Sequence, residues 1–464
     1  MSRPNIILIN CDDMGYGDLS CYGSAVNHTP AIDRMAAEGV RCTSWYSPSP
    51  VCSPSRGATL TGCYPPRIGF GSFTGWSVLF PGHSVGLHPD EPTFADYLRG
   101  AGYRTCLIGK WHCGDQEPFL PLNHGFDEFY GLPYSNDMGR QKGHPPVSAI
   151  GNPYPPLPLM SDDEIVQFQP DQRSLTERYT ERAVGFIKEN RDRPFLLYFN
   201  HYHVHLPHYA PDHLIARSEN GVFGACMASV DWSVAVLRRT LEELGLSENT
   251  LIVFTSDNGS RADHGASNGP LRGQKTTTWE GGQRVPCIWY WKNHTPEGTV
   301  CDEVMSHTDF FSTLLALAGT EADDALLRDS HDVTGVILRG IRRTEEENLF
   351  YYYWMNSLEA IRLGKWKLHL AKHNALRNFV EVHELYDLEA DSGESINLYA
   401  EHPDIVAAFA PYIERIRRDL GDERLNITGE GVRPCGTVDH PRLLSQYDKT
   451  YPYLIAEYDS TESG

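Results

Sequence analysis

Cys52-Ser53-Pro54-Ser55-Arg56 sets a thiol, two hydroxyls and a guanidinium within five residues, and no second cysteine stands at CxxC spacing. Two acidic pairs lie far from it, Asp12-Asp13 and Asp257-Asn258. Together they form an all-oxygen donor set with three formal negative charges, which suits a hard divalent cation such as Ca2+ or Mg2+. Brought together, those carboxylates repel one another unless a cation sits between them. Arg56, Lys110, His112, His205 and Lys275 supply the opposite sign. A cation ringed by carboxylates and then by basic groups leaves room for an anion. Arginine grips a tetrahedral oxyanion bidentately, and lysine acts on it as a point charge.

These residues share a place along the chain. NIILIN (5–10) runs into Cys11-Asp12-Asp13, and YRTCLIG (103–109) into Lys110-Trp111-His112. PFLLYFN (194–200) runs into HYHVHLPH (201–208), and TLIVFTS (250–256) into Asp257-Asn258-Gly259. With PCIWYW (286–291), these near-continuous apolar runs read as strands covered on both faces. In open α/β sheets the ligand site lies outside the carboxyl ends of the strands, so four strands deliver their polar residues to one edge. Helical patterns fall between them, at 29–39, 91–102, 174–190, 225–245 and 307–319, and the alternation predicts an α/β fold with a mostly parallel sheet. Residues 141–172, rich in proline and glycine, read as a surface loop. LFYYYWM (349–355), AIRLGKWKLHL (360–370) and HELYDLE (383–389) read as antiparallel strands, followed by a helix over 403–419. The chain therefore divides into a catalytic α/β domain over 1–344 and a smaller α+β domain with a loose tail over 345–464.

A formal charge of −21 argues against binding bare nucleic acid or an anionic membrane surface. No run approaches the length of an apolar membrane span. The eleven cysteines are scattered without zinc-ribbon spacing. Read as complete, the chain carries no leader and is expected in the cytoplasm with reduced thiols; a trimmed chain would instead fit a periplasmic or secreted protein. Oligomeric state is not legible.

Cys52-Ser53-Pro54-Ser55-Arg56 resembles the C-x-P-S-R signature of the type I, formylglycine-dependent sulfatases. Gly109-Lys110-Trp111-His112-Cys113-Gly114 resembles their G-K-W-H-x-G signature, and the two acidic pairs match their metal pairs. GLPYSND (131–137) and GQKTTTWEGG (273–282) resemble the branch of arylsulfatase A and N-acetylgalactosamine-6-sulfatase. The similarity covers most of 4–320, and LYDLEADSGESINL (385–398) extends it. Cys113 stands where the signature often has leucine, and Gln274 where relatives often have glycine. The implied fold is alkaline-phosphatase-like: a large, mostly parallel sheet flanked by helices, with a small C-terminal antiparallel sheet.

The resemblance also implies chemistry. A maturation enzyme reads the C-x-P-x-R core and oxidises Cys52 to formylglycine. One hydroxyl of the hydrated aldehyde attacks sulfur; the other loses its proton, re-forms the carbonyl and expels sulfate. Asp12, Asp13, Asp257, Asn258 and position 52 would hold the metal. Arg56 would stabilise the hydrated aldehyde, Lys110 and Lys275 would bind sulfate oxygens, and His112 would assist the elimination. Ser135 would hydrogen-bond into the site. His205 matches the leaving-group histidine, with His203 as competitor, since an offset of two along a strand keeps the same face. A helix starting near residue 55 would turn its positive end toward the anion.

The implied activity is hydrolysis of aryl or carbohydrate sulfate monoesters, and the acidic surface favours small or terminal sulfates over long polysulfated chains. The alternatives are a phosphate monoester or phosphonate hydrolase of the same superfamily, or a non-catalytic metal–anion binder if Cys52 stays unconverted. Tyr352, Trp354, Lys367 and His369 are candidates for the pocket mouth or for ordinary sheet positions.

Overall fold

The computed structural model describes residues 3–140, 147–322, 326, 328–374, 378–448 and 450–451. Its centre is an eleven-stranded mixed sheet. The five central strands are parallel, in the spatial order Thr250–Ser256, Asn5–Cys11, Phe195–Asn200, Arg104–Lys110, Glu128–Leu132. Asn5–Cys11 and Thr250–Ser256 are buried along their whole length, as strands sandwiched between helical layers must be. Two apolar cores lie on the two faces of the sheet. One includes Trp45, Trp289, Phe310 and Phe311, and the other includes Tyr179, Phe199, Val230 and Leu237.

The edges depart from the parallel expectation. Arg284–Trp291 runs antiparallel to Thr250–Ser256 and also to Val40–Tyr46, a strand that its half-polar sequence VRCTSWY concealed. On the other edge the region expected to be a plain loop contributes an antiparallel hairpin, Pro158–Ser161 with Glu164–Phe168. The first part of that expected loop, 141–146, lies outside the described residues.

Helix Gly221–Glu243 is long and apolar enough by composition to cross a membrane. Most of it is packed inside the protein, where the Asp231 carboxylate accepts hydrogen bonds from Ala31 N and Ile32 N, both 2.9 Å, at the start of helix Pro30–Ala37. Orphan N–H groups at a helix start need such an acceptor.

Leu349–Trp354, Ser357–Leu363, Trp366–His373 and Phe379–Asp387 form an antiparallel sheet of four strands, where three were expected: the run 360–370 is divided between the second and third. The helix expected over 403–419 is broken in two, Pro403–Ala408 and Ala410–Leu420. The segment beyond is not loose as far as it is described. Gly436–Thr437 pairs with Val85–Gly86, Arg433 binds Glu91, and Arg442 N donates to Gln116 Oε1 at 2.8 Å. Residues 452–464 of the expected tail lie outside the described residues.

Gly109 controls how closely the central strands approach ahead of Lys110. Its φ is +109°, and a Cβ there would stand 1.6 Å from the Asn200 carbonyl oxygen. Gly109→Ala is therefore expected to cost more than about 2 kcal/mol of stability, read as a lowered urea midpoint with an unchanged slope.

Candidate active site

The carboxyl ends of the central strands converge as expected. Asp12 and Asp13 follow Asn5–Cys11, Lys110 ends Arg104–Lys110, and Asp257 and Asn258 follow Thr250–Ser256. Backbone bonds tie the loops to one another: Asp12 N donates to His203 O at 2.8 Å, Val204 N to Asp12 O at 2.6 Å, and Asp257 N to Cys11 O at 2.9 Å.

Cys52 arrives from the side, and not as expected. The helix runs Cys52–Thr61, so it begins at the cysteine rather than near residue 55. Val51 is the extended N-cap and offers no side-chain bond. Pro54 is tolerated because first-turn N–H groups lack intrahelical acceptors anyway. Cys52 thus sits, 2% exposed, at the positive end of a ten-residue helix. Both signature serines, which sequence reasoning gave no role, fasten this helix. Ser55 Oγ donates to the Asp257 carbonyl at 2.5 Å, and Ser53 Oγ accepts from Leu79 N at 3.1 Å. Their only sequence signal was a place inside the signature.

Around these groups the charges pair. Arg56 Nε and Nη2 lie 2.9 and 2.8 Å from Asp257 Oδ2, and Nη1 donates to Lys110 O at 2.8 Å. Lys110 Nζ donates to Asp12 Oδ2 at 2.6 Å and to Ser135 Oγ at 3.1 Å. Lys275 Nζ donates to Asp13 Oδ2 at 2.7 Å and to His205 Nε2 at 3.0 Å. His205 Nδ1 lies 2.5 Å from Leu206 O, which makes it the donor and leaves Nε2 as the acceptor.

His203 is placed differently from His205. Residues 201–208 bend rather than extend, so the two-residue rule for strands does not hold there. The His203 ring instead packs on Tyr202, 4.1 Å between centroids. His112, at φ +62°, donates from Nε2 to Leu79 O at 3.0 Å, and its Nδ1 is buried without a hydrogen-bond partner. Cys113 is fully buried in the core.

Burial works against every charge here, and the neighbours decide the outcome. Against burial, Lys110, His205 and Arg56 hold Asp12 well below the usual carboxylate range, and Lys275 and His205 lower Asp13. Burial and then the Asp12 charge push Asp257 up to about 7. Against burial, Asp12 holds Lys110 above its ordinary value, and Asp13 raises Lys275. Burial and Lys110 hold His112 well below its ordinary value, so its free Nδ1 is an acceptor. Burial pushes the Cys52 thiol up to about 12, so as a thiol it is a poor nucleophile.

The donor set fits a divalent cation. Ligand atoms of Asp12, Cys52 and Asp257 lie within 4.8 Å of one another, as do those of Asp13, Cys52 and His205. Asp12 Oδ1 and Asn258 Oδ1 are buried oxygens with no hydrogen-bond partner. Oxygen donors at this density favour a hard ion.

Residues 4–320 match the family profile described as Sulfatase. This chain belongs to the sulfatase family. A second profile, described as N-sulphoglucosamine sulphohydrolase, C-terminal, matches 274–419 of the sulfatase, from the Lys275 loop through the small sheet. The sulfatase is 36% identical over 428 residues to arylsulfatase A of Homo sapiens, covering 85% of this chain and 83% of that protein. It is also 36% identical over 439 residues to N-acetylgalactosamine-6-sulfatase of Sus scrofa, with 90% and 81% covered. The PsFucS1 sulfatase from Pseudoalteromonas sp. superimposes with a TM-score of 0.78 at 28% identity, covering 89% of this chain and 91% of that one. The sulfatase is thus a sulfuric ester hydrolase with an alkaline-phosphatase-like fold.

The sheet residues considered for the pocket mouth are elsewhere. Lys367 and His369 are buried against Glu394, Tyr352 donates to Glu280, and Trp354 stacks on His373.

Proposed function

We propose that this sulfatase removes sulfate from small or terminal O-sulfate monoesters, aryl or carbohydrate, using formylglycine made from Cys52 and one Ca2+ or Mg2+ ion. The observation that carries this reading is the position of Cys52, on a helix N-terminus and within ligand distance of two acidic clusters. Asp12, Asp13, Asp257 and Asn258 would hold the ion, which would lower the pKa of a bound hydroxyl and offset charge on the sulfate. Formylglycine, once hydrated, supplies two hydroxyls on one carbon, one to attack sulfur and one to drive release of sulfate.

The chain's own residues do the rest. Arg56, held by Asp257, presents a fixed guanidinium beside position 52. Lys110 and Lys275 offer ammonium groups to sulfate oxygens, and Ser135 orients Lys110. His112 Nδ1 takes a proton from a hydroxyl of the diol, since the ring is neutral and its Nε2–H is committed to Leu79. His205 and Lys275 share one hydrogen bond, and the pair places a proton donor toward the departing alkoxide. The net charge of −21 disfavours long polyanionic substrates beyond the pocket.

The test is turnover of a series of aryl sulfates and of terminal sugar sulfates by chain expressed with a maturation enzyme. Cleavage of the terminal sugar esters is expected. His205→Ala is expected to slow poor leaving groups by roughly 10²-fold or more and good ones by much less. A flat response across leaving groups would remove His205 from this role.

A further inference from the structure

Lys275 stands on the loop 272–283, and the inner side of that loop rests on the catalytic body. Lys275 N donates to Ser260 O at 2.8 Å, and Thr276 N to Pro50 O at 2.9 Å. The outer side is gripped by the C-terminal sheet. Lys367, fully buried, donates to Thr278 O at 2.9 Å and pairs with Glu280 at 3.0 Å and Glu394 at 2.9 Å. Glu394 Oε2 accepts from Glu280 N at 2.8 Å, and Glu394 O accepts from Arg272 Nη1 at 2.8 Å. His369 Nε2 meets Glu394 Oε1 at 2.9 Å, and the Trp279 ring lies 4.7 Å from the His369 ring. Thr278 Oγ1 donates to Glu359 Oε2 at 2.5 Å.

Every residue from 278 to 280 is thereby held by a side chain of the small sheet or of the turn after it. Arg272, at the other end of the loop, is held by the backbone carbonyl of Glu394 in that turn. A buried ion cluster of this kind is a poor device for stability alone, because desolvating three charges costs about what their attraction returns. It is a good device for fixing one arrangement. Its position, five residues along the chain from Lys275, indicates what is being fixed. The same glutamate reaches the Cys52 side of the site: Tyr46 OH donates to Glu280 Oε2 at 2.6 Å, and Gln283 Nε2 donates to Ser47 O at 3.0 Å. Ser47 Oγ in turn donates to Ser55 Oγ at 2.8 Å.

We propose that Lys367, with Glu280 and Glu394, is a positioning element for Lys275, so that the C-terminal sheet sets where the sulfate-binding ammonium stands. This rests on the reading of Lys275 as a sulfate ligand. Removing the Lys367 charge takes away the cation that pairs with both carboxylates, leaving Glu280 with Arg284 at 3.5 Å and Glu394 with His369, and the 275–280 segment is what gives way. Lys367 is a positioning residue and touches no substrate.

The experiment is a double-mutant cycle on matured enzyme, with inorganic sulfate as a competitive inhibitor and an aryl sulfate as substrate. Conversion of Cys52 is checked by mass in every variant, because the loop also braces its helix. Lys367→Met is expected to raise both KM and the sulfate inhibition constant by roughly 10-fold or more, in parallel with Lys275→Ala. Placed on Lys275→Ala, it is expected to add less than about twofold, since the group it positions is gone. Full multiplication of the two effects would show that Lys367 acts on sulfate binding by a route other than Lys275 and would overturn the proposal. So would an unchanged inhibition constant in folded Lys367→Met. Should Lys367→Met lose its cooperative unfolding transition, Glu394→Gln keeps the volume and the acceptor, and it is expected to give the same non-additivity at smaller amplitude. If Lys275→Ala itself leaves sulfate affinity unchanged, the sulfate-ligand reading fails first and the proposal falls with it.

Discussion

Cys52→Ala is expected to lower kcat for any sulfate ester by on the order of 10⁴-fold or more while leaving the protein folded. The two halves of that expectation have separate causes. Alanine keeps the Cβ, suits the first turn of a helix, and deletes only the sulfur from a position whose neighbours are polar. Arg56, Ser53 and Ser55, which fasten the helix, are untouched. The melting temperature should therefore move by no more than a few degrees. The chemistry has no such reserve. A thiol pushed up to about 12 supplies almost no thiolate at neutral pH, so unconverted Cys52 should be nearly as inactive as alanine. Peptide mass at residue 52 and turnover should thus rise together across preparations matured to different extents. Near-normal turnover by Cys52→Ala would overturn the mechanism.

Much of the site was legible because it lies directly after the strands. A run such as TLIVFTS ends where its apolar character ends, and the next residues are Asp257 and Asn258. The rule that ligands bind at the carboxyl edge then places four segments at one edge without any coordinates. Three things were less legible, each for a physical reason. Strand direction at the edges depends on which neighbour is available, so Arg284–Trp291 read correctly as a strand and gave no sign of running antiparallel. The helix was expected to start near residue 55, and it starts at Cys52. The real start is held from outside, by Asp257 O on Ser55 and Leu79 N on Ser53, and those partners are 202 and 26 residues away. Lys367 looked like a rim or sheet residue because its meaning depends on Glu280, 87 residues earlier. Two isolated charges in a sequence carry no mark of being one buried pair.

Asp257→Asn is expected to lower turnover by roughly 10³-fold or more and to abolish the rise in melting temperature expected of the wild type with Ca2+ or Mg2+. The sign of the effect on stability depends on the ion. Without it, burial and then the Asp12 charge push the Asp257 carboxyl from 3.8 up to about 7. A carboxyl raised on folding contributes stability that is fully present below its unfolded value and is lost as pH rises through the folded value. Metal-free wild type therefore weakens between about pH 4 and 7, and asparagine, which cannot ionise, escapes that loss. Its amide oxygen still accepts from Arg56. The metal-free variant should thus be at least as stable as the metal-free wild type, with the gap widest above pH 7. With the ion in 1,000-fold excess over its Kd the order reverses, because only the wild type gains the linked stabilisation of about 4 kcal/mol. Melting curves with and without chelator, at pH 5 and pH 8, read all four states. An equal metal-induced shift in both proteins would take Asp257 out of the ligand set. A metal-free variant that melts well below the metal-free wild type at pH 8 would mean that pairing with Arg56, rather than repulsion from Asp12, dominates at this carboxylate.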